Sequence, residues 1–235
     1  MSSPYSYSDV AKMIDHSLLN PSLTIAELEE GCALARRYDV ASVCILPYYL
    51  RRCVELLAGS SVQPSTTIGF PHGGHTTAVK LAEVAQALKD GGTELDMVIN
   101  ISLARSGRWN DVAAEIKTLT DATHAGGAKI KVIFENAYLK DEAKIRLCGI
   151  CGEIGVDWVK TSTGYAATGA TMADLALMRR HSPPHVQVKA AGGVRDLDTL
   201  LQVRALGVTR SGATRTASML DEARQRLGLS PIAPA

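Results

Sequence analysis

The stretch Val156–Tyr165, VDWVKTSTGY, ends a short apolar run on a lysine and follows it with a Thr-Ser-Thr-Gly turn. Val156, Trp158 and Val159 mark a buried strand, and Gly164 marks its exit. Burial disfavours an ammonium, so Lys160 is pushed toward a neutral amine, which attacks carbonyls. A barrel lysine paired with a carboxylate is the other reading of the same residues. The segment His185–Arg195, HVQVKAAGGVR, repeats the design of strand, lysine and glycines, with Lys189 standing 29 residues after Lys160. That spacing is about one strand–helix repeat, so the two strands can be neighbours in one parallel sheet. Two adjacent ammonium groups disfavour each other's charge, which is one way a Schiff-base lysine is activated.

A carboxylate belongs with them. In ELDMVIN, Glu94, Asp96 and Val98 fall on one strand face and Leu95, Met97 and Ile99 on the other. The apolar set should meet helices, so Asp96 should point inward, where it can hold a proton or a water for a lysine. A structural ion pair with Lys131, on the next strand, is compatible with that role. Asp15 is placed similarly on the first strand, as a capping or a direct participant.

The elements that must position these residues alternate along the chain. After a small N-terminal helix, strands are expected at Met13–His16, Ala41–Leu46, Thr66–Gly69, Glu94–Ile99, Lys129–Phe134, Val156–Thr161, Val186–Ala190 and Val208–Gly212. Helices are expected at Thr24–Tyr38, Leu50–Ala58, Thr76–Asp90, Trp109–Ala125, Asp141–Ile154, Thr171–Arg180, Leu197–Leu206 and Ala217–Leu227. Eight such units predict a single-domain α/β chain, a (β/α)8 TIM barrel over residues 1–235 with a loose tail from 228, rather than an open doubly wound sheet. In a barrel the active site lies at the C-terminal ends of the strands. Asp15, His16, Cys44, His72, Asp96, Asn100, Lys131, Glu135, Lys160, Thr161, Lys189, Arg210 and Ser211 fall there.

Composition narrows the function classes. The 235 residues are 46% apolar, and 25 basic residues oppose 24 acidic ones. A chain so balanced gives no sign of a nucleic-acid or anionic-membrane partner. No apolar run reaches spanning length, and the first residues, MSSPYSYSDVAKMID, lack a signal-peptide core. The five scattered cysteines argue against a disulfide framework and for a reducing cytoplasm. Cys148 and Cys151 read as core-facing residues one helical turn apart rather than a redox or metal pair. His72 and His75 lack a third ligand of obvious spacing, so no metal is expected: His72 should line the rim and His75 should start a helix.

Gly164, Gly192, Gly193 and Gly212 follow strands six to eight, where barrels often bind phosphate on backbone N–H groups. Arg195 follows the glycine pair, and Arg215 lies after the eighth strand.

Taken together, IDHSLLNP (14–21), ASVCILP (41–47), IGFPHGGHTT (68–77), ELDMVINI (94–101), KVIFENAYL (131–139), DWVKTSTGY (157–165) and KAAGGVR (189–195) closely resemble the deoxyribose-phosphate aldolase family of class I, Schiff-base aldolases. The resemblance implies Lys160 as the Schiff-base lysine, Lys189 as the lysine that tunes it and exchanges protons, and Asp96 as the proton-relay carboxylate. It implies a phosphate and substrate site around Asp15, Cys44, Lys131, Thr161, Gly164, Gly192, Gly193, Gly212, Thr214 and Arg215. The implied reaction is reversible cleavage of 2-deoxyribose 5-phosphate to glyceraldehyde 3-phosphate and acetaldehyde, without cofactor or metal, in a cytoplasmic homodimer or higher homo-oligomer. Cys44 is then a candidate for alkylation by unsaturated aldehydes, or a small core residue. The chain departs from the family pattern at Ala191, at Gly212-Ala213-Thr214-Arg215 where a Gly-x-Ser-Ser run is common, at Tyr165, and at the final Pro234-Ala235. Two alternatives are a related aldolase taking another or an unphosphorylated aldehyde, and a silent sugar-phosphate-binding barrel.

Overall fold

The computed structural model describes residues 5–232. Eight parallel strands close into a barrel in sequence order: β1 (Ile14–Leu18), β2 (Ser42–Ile45), β3 (Gln63–Ile68), β4 (Glu94–Val98), β5 (Lys129–Ile133), β6 (Trp158–Lys160), β7 (Gln187–Ala191) and β8 (Arg210–Ala213). A short helix, α1 (Tyr7–Ala11), precedes them. Between strands run α2 (Ile25–Arg37), α3 (Leu50–Leu57), α4 (Thr77–Lys89), α5 (Ile101–Arg105) with α6 (Trp109–Ala125), α7 (Asp141–Ile154), α8 (Met172–His181) and α9 (Leu197–Ala205), and α10 (Thr216–Arg226) follows β8. The expected order of elements is therefore present.

Local sequence explains where the helices begin. Thr24 and Glu27 form a reciprocal capping box on α2, and the side chains of Thr76, Thr171 and Asp196 accept N–H bonds from the first turns of α4, α8 and α9. Several expected edges move. The first strand starts at Ile14, not Met13, and runs to Leu18, because it pairs with β8 over residues 14–16 and with β2 over residues 15–18. The third strand begins at Gln63 rather than Thr66, drawn out by pairing with β2. The sixth is only Trp158–Lys160, since Thr161 already turns toward Ala191.

Two layers of different chemistry result. Between sheet and helices lies the apolar core, including Ile14, Val43, Leu95, Met97, Ile130, Val132, Val159 and Val188. Each such fully buried Val, Leu or Ile stabilises the fold by roughly 1.5–3 kcal/mol. Inside the barrel the alternate residues are polar: Asp15, Ser42, Ser65, Glu94, Asp96, Lys131, Lys160 and Lys189 are all buried, and the partly buried Arg210 lies among them. Cys148 and Cys151 face the core from α7, and all five cysteines are free and buried. His72 and His75 are exposed, and His75 lies just ahead of Thr76, the cap of α4. Of the tail, Arg224 donates to the Ser230 carbonyl and Ile232 packs against the core, while residues 233–235 lie outside the described residues.

Candidate active site

Strand register brings the chemistry together. Asp96 lies opposite Lys131, and Lys160 lies opposite Lys189, which lies opposite Arg210. Asp96 sits at the centre. Its Oδ2 accepts from Lys160 Nζ at 2.8 Å and from Lys189 Nζ at 2.7 Å, and its Oδ1 accepts from Lys131 Nζ at 2.9 Å. Asp15 Oδ2 lies 2.6 Å from Lys189 Nζ and 3.5 Å from Lys131 Nζ. Glu94 takes Lys131 at 2.5 Å and Arg210 at 2.8 Å, and Arg210 also donates to Asp15 at 2.6 Å. Arg210 and Lys131 in turn lie over the Trp158 ring, 5.0 and 5.6 Å from its centroid. Sequence reasoning set Arg210 at the strand ends and Glu94 on the face of Asp96, but gave neither a role in the site.

The electrostatics separate the two lysines. Burial and the Lys189 ammonium lower the Lys160 pKa despite the Asp96 carboxylate beside it. Burial acts on Lys189 too, but Asp15 and Asp96 outweigh it and raise its pKa. Burial alone would raise Asp96; Lys131, Lys160 and Lys189 reverse this and hold its carboxyl well below the usual range. The arrangement therefore disfavours the charge on Lys160 and favours it on Lys189, with the Asp96 carboxylate shared between them.

Above these residues opens a cavity of about 870 Å3 at the C-terminal ends of the strands. Lys160, Lys189, Asp15 and Cys44 form its base, and Gly164, Gly192, Gly193, Gly212 and Thr214 line its wall. Asp96 lies below the base and reaches the cavity through the two lysines. Cys44 is buried there, and burial raises its thiol pKa. Three expected contacts lie elsewhere. Lys131 is fully buried beneath the lysine pair, consumed by three carboxylates. Thr161 turns its hydroxyl to the Ala191 backbone, accepting its N–H at 3.1 Å and tying β6 to β7. Arg215 is exposed at the start of α10 and is absent from the wall, whereas Arg195 lines it.

The wall depends on close backbone approach. Ala170 N–H donates to Ala191 and Gly192 carbonyls at 3.0 Å, and a Cβ on Gly169 would come within 2.5 Å of Gly192 backbone. Gly169 carried no signal in the sequence because its partner is another loop. Tyr165 bridges to the opposite rim, where its hydroxyl donates to the Leu19 carbonyl at 2.7 Å. Glu135, in a left-handed backbone conformation at φ 56°, accepts the Thr163 N–H at 3.2 Å and holds that wall residue.

The model of the DeoC/LacD family aldolases matches residues 9–220 of this chain. The chain belongs to that family. A deoxyribose-phosphate aldolase of Rhodopirellula baltica is 67% identical to this aldolase over 228 residues, which cover 97% of this chain and 95% of that protein. One from Lysinibacillus sphaericus is 43% identical over 211 residues, 90% of this chain and 94% of that one. Among solved structures, the aldolase QR15 superposes with a TM-score of 0.88 at 35% identity, covering 93% of this chain and 97% of its own. The deoxyribose phosphate aldolase of Aeropyrum pernix, described as a unique tetramer, superposes with a TM-score of 0.87 at 28% identity, over 94% of this chain and 93% of that one.

Proposed function

We propose that this aldolase cleaves 2-deoxyribose 5-phosphate reversibly to glyceraldehyde 3-phosphate and acetaldehyde through a Schiff base on Lys160. The observation that carries the reading is Lys160 at the base of the cavity, its ammonium disfavoured by burial and by Lys189, with Asp96 shared between the two Nζ atoms. The neutral amine attacks the C1 aldehyde carbon of the open-chain sugar, giving a carbinolamine. The Lys189 ammonium supplies the proton with which its hydroxyl leaves as water, and an iminium forms. Two carbons depart as acetaldehyde and three as glyceraldehyde 3-phosphate, so the bond that breaks is C2–C3. Its electron pair flows into the iminium as the C3 hydroxyl proton passes to the Asp96–Lys189 pair. The enamine left behind is reprotonated at C2, and water hydrolyses the iminium to free Lys160. The phosphate lies against the loops after β6 to β8, with Arg195 as the cation on the wall.

Incubation with acetaldehyde and borohydride should add one ethyl group to Lys160, and Lys160→Ala should abolish both labelling and turnover. Labelling on Lys189 with Lys160 untouched would overturn the assignment. We also place the enzyme in the cytoplasm as a homo-oligomer. The five free thiols support that compartment, and the tetramer described for the Aeropyrum pernix relative supports self-association. Among the described residues no helix is long and apolar enough to cross a membrane.

A further inference from the structure

We propose that Arg210 and Glu94 are positioning residues that fix the proton count of the site, Arg210 forcing one proton off the lysines and Glu94 limiting the loss to one. The inference rests on Lys160 being the Schiff-base lysine. Seven side chains form one continuous ion-pair network inside the barrel. Four are cations (Lys131, Lys160, Lys189 and Arg210) and three are anions (Asp15, Glu94 and Asp96). An unbalanced charge is costly in a buried network, so one proton is surplus.

Geometry decides which group gives it up. Lys131 pairs with three carboxylates and Lys189 with two, whereas Lys160 has only Asp96. Arg210 cannot lose its proton. It occupies Asp15 Oδ1 and both oxygens of Glu94, so those carboxylates are partly spent before any lysine reaches them. The surplus therefore falls on Lys160. Without Arg210 the network would hold three cations and three anions, and Lys160 would keep its proton. Without Glu94 the network would be more cationic still, and Lys160 would lose its proton more readily.

Among the described residues no other charged side chain forms an ion pair with these seven. His16 on β1 is driven neutral by burial, to a pKa of about 4, and Cys44 on β2 is held as a thiol. The buried polar residues contributed by β3 are Ser65, Thr66 and Thr67, and Glu135 at the end of β5 is engaged by Thr163. Glu94, Lys131 and Arg210 do not line the cavity, so their effect on turnover must pass through other residues.

The test follows the initial rate of Lys160 ethylation by acetaldehyde and cyanoborohydride, read by peptide mass spectrometry from about pH 5 to pH 10, in wild type, Arg210→Met and Glu94→Gln. We expect the half-maximal pH to rise by about one unit in Arg210→Met, an approximately tenfold slowing on the acid side, and to fall in Glu94→Gln. Arg210→Lys, which keeps a cation, should shift less than Arg210→Met. A purely structural role would lower melting temperatures and leave the half-maximal pH in place. An unmoved half-maximal pH in folded Glu94→Gln, or shifts of the same sign in the Arg210→Met and Glu94→Gln variants, overturns the inference. If Arg210→Met fails to fold, Glu94→Gln decides alone. No labelling of wild-type Lys160 at any pH would instead overturn the proposed function and this inference with it.

Discussion

Three lysine Nζ atoms converge on the Asp96 carboxylate, and that position gives it two contributions. As a charge it holds the lysines together; in the reaction we propose it also carries a proton between the two at the cavity base. Asp96→Asn keeps the shape and removes both the charge and the proton capacity. We expect the variant to fold and to lose at least about two orders of magnitude in kcat, the scale of a positioned acid–base group. Near-wild-type turnover in a folded variant would leave Asp96 an ion-pair partner only. The two arginines near the last loops differ in the same testable way. Arg195 lines the cavity and Arg215 does not. Arg195→Ala should therefore lower kcat/KM for deoxyribose 5-phosphate about ten- to hundredfold more than for unphosphorylated deoxyribose, the worth of a charge-assisted hydrogen bond. Arg215→Ala should affect both sugars equally. A phosphate-selective loss in Arg215→Ala would reverse the assignment.

Helices α4 and α6 carry a second buried ion pair, remote from the chemistry. Lys80 Nζ lies 2.9 Å from Glu115 and donates to the Val98 carbonyl at 2.8 Å, and Glu115 also accepts the Asn100 N–H at the exit of β4. Burial lowers the Lys80 pKa, so the ammonium survives only through its partners. Lys80→Met leaves a buried carboxylate uncompensated and should cost about 3–5 kcal/mol in urea unfolding, and Lys80→Met with Glu115→Leu should recover much of it. Equal losses in the single and double variants would show that packing, not charge, is at stake. At this scale the sequence was a good guide where signals are local. Apolar runs marked eight strands, and a lysine or aspartate interrupting such a run marked an inward-facing group, which is how Lys160, Lys189 and Asp96 were legible. Short pieces escaped: α5 is five residues long, started by the Asn100 side chain accepting the Leu103 N–H at 3.1 Å, too brief to show a period. The contact between Arg210 and Glu94 escaped for another reason. The two lie 116 residues apart in sequence and meet only across the closed barrel, so no local pattern records the pair.

For the whole molecule, the seam where β8 meets β1 determines both stability and timing. At that seam His16 Nδ1 lies 2.8 Å from the Thr216 hydroxyl, and burial pushes the His16 pKa down to about 4. An unfolded histidine titrates near 6.5, so between about pH 6.5 and pH 4 the unfolded chain binds the extra proton. Stability should be fully present above about pH 6.5 and fall by up to roughly 3 kcal/mol on acidification to pH 4. Below that, protonation of Asp15 and Asp96, both held low in the fold, continues the loss. Calorimetry of His16→Gln should show a flatter profile between pH 6.5 and pH 4, and a profile parallel to wild type would acquit His16. The same seam has a consequence for a protein still being made. Asp15 is contributed by the first strand and Arg210 by the last, and Lys160 is desolvated only when the ring around it is complete. A chain emerging from the ribosome therefore carries ordinary, protonated lysines, inert toward the aldehydes around it, until synthesis has passed β8. On the Schiff-base role proposed for Lys160, the reactive amine is then a property of the finished molecule alone.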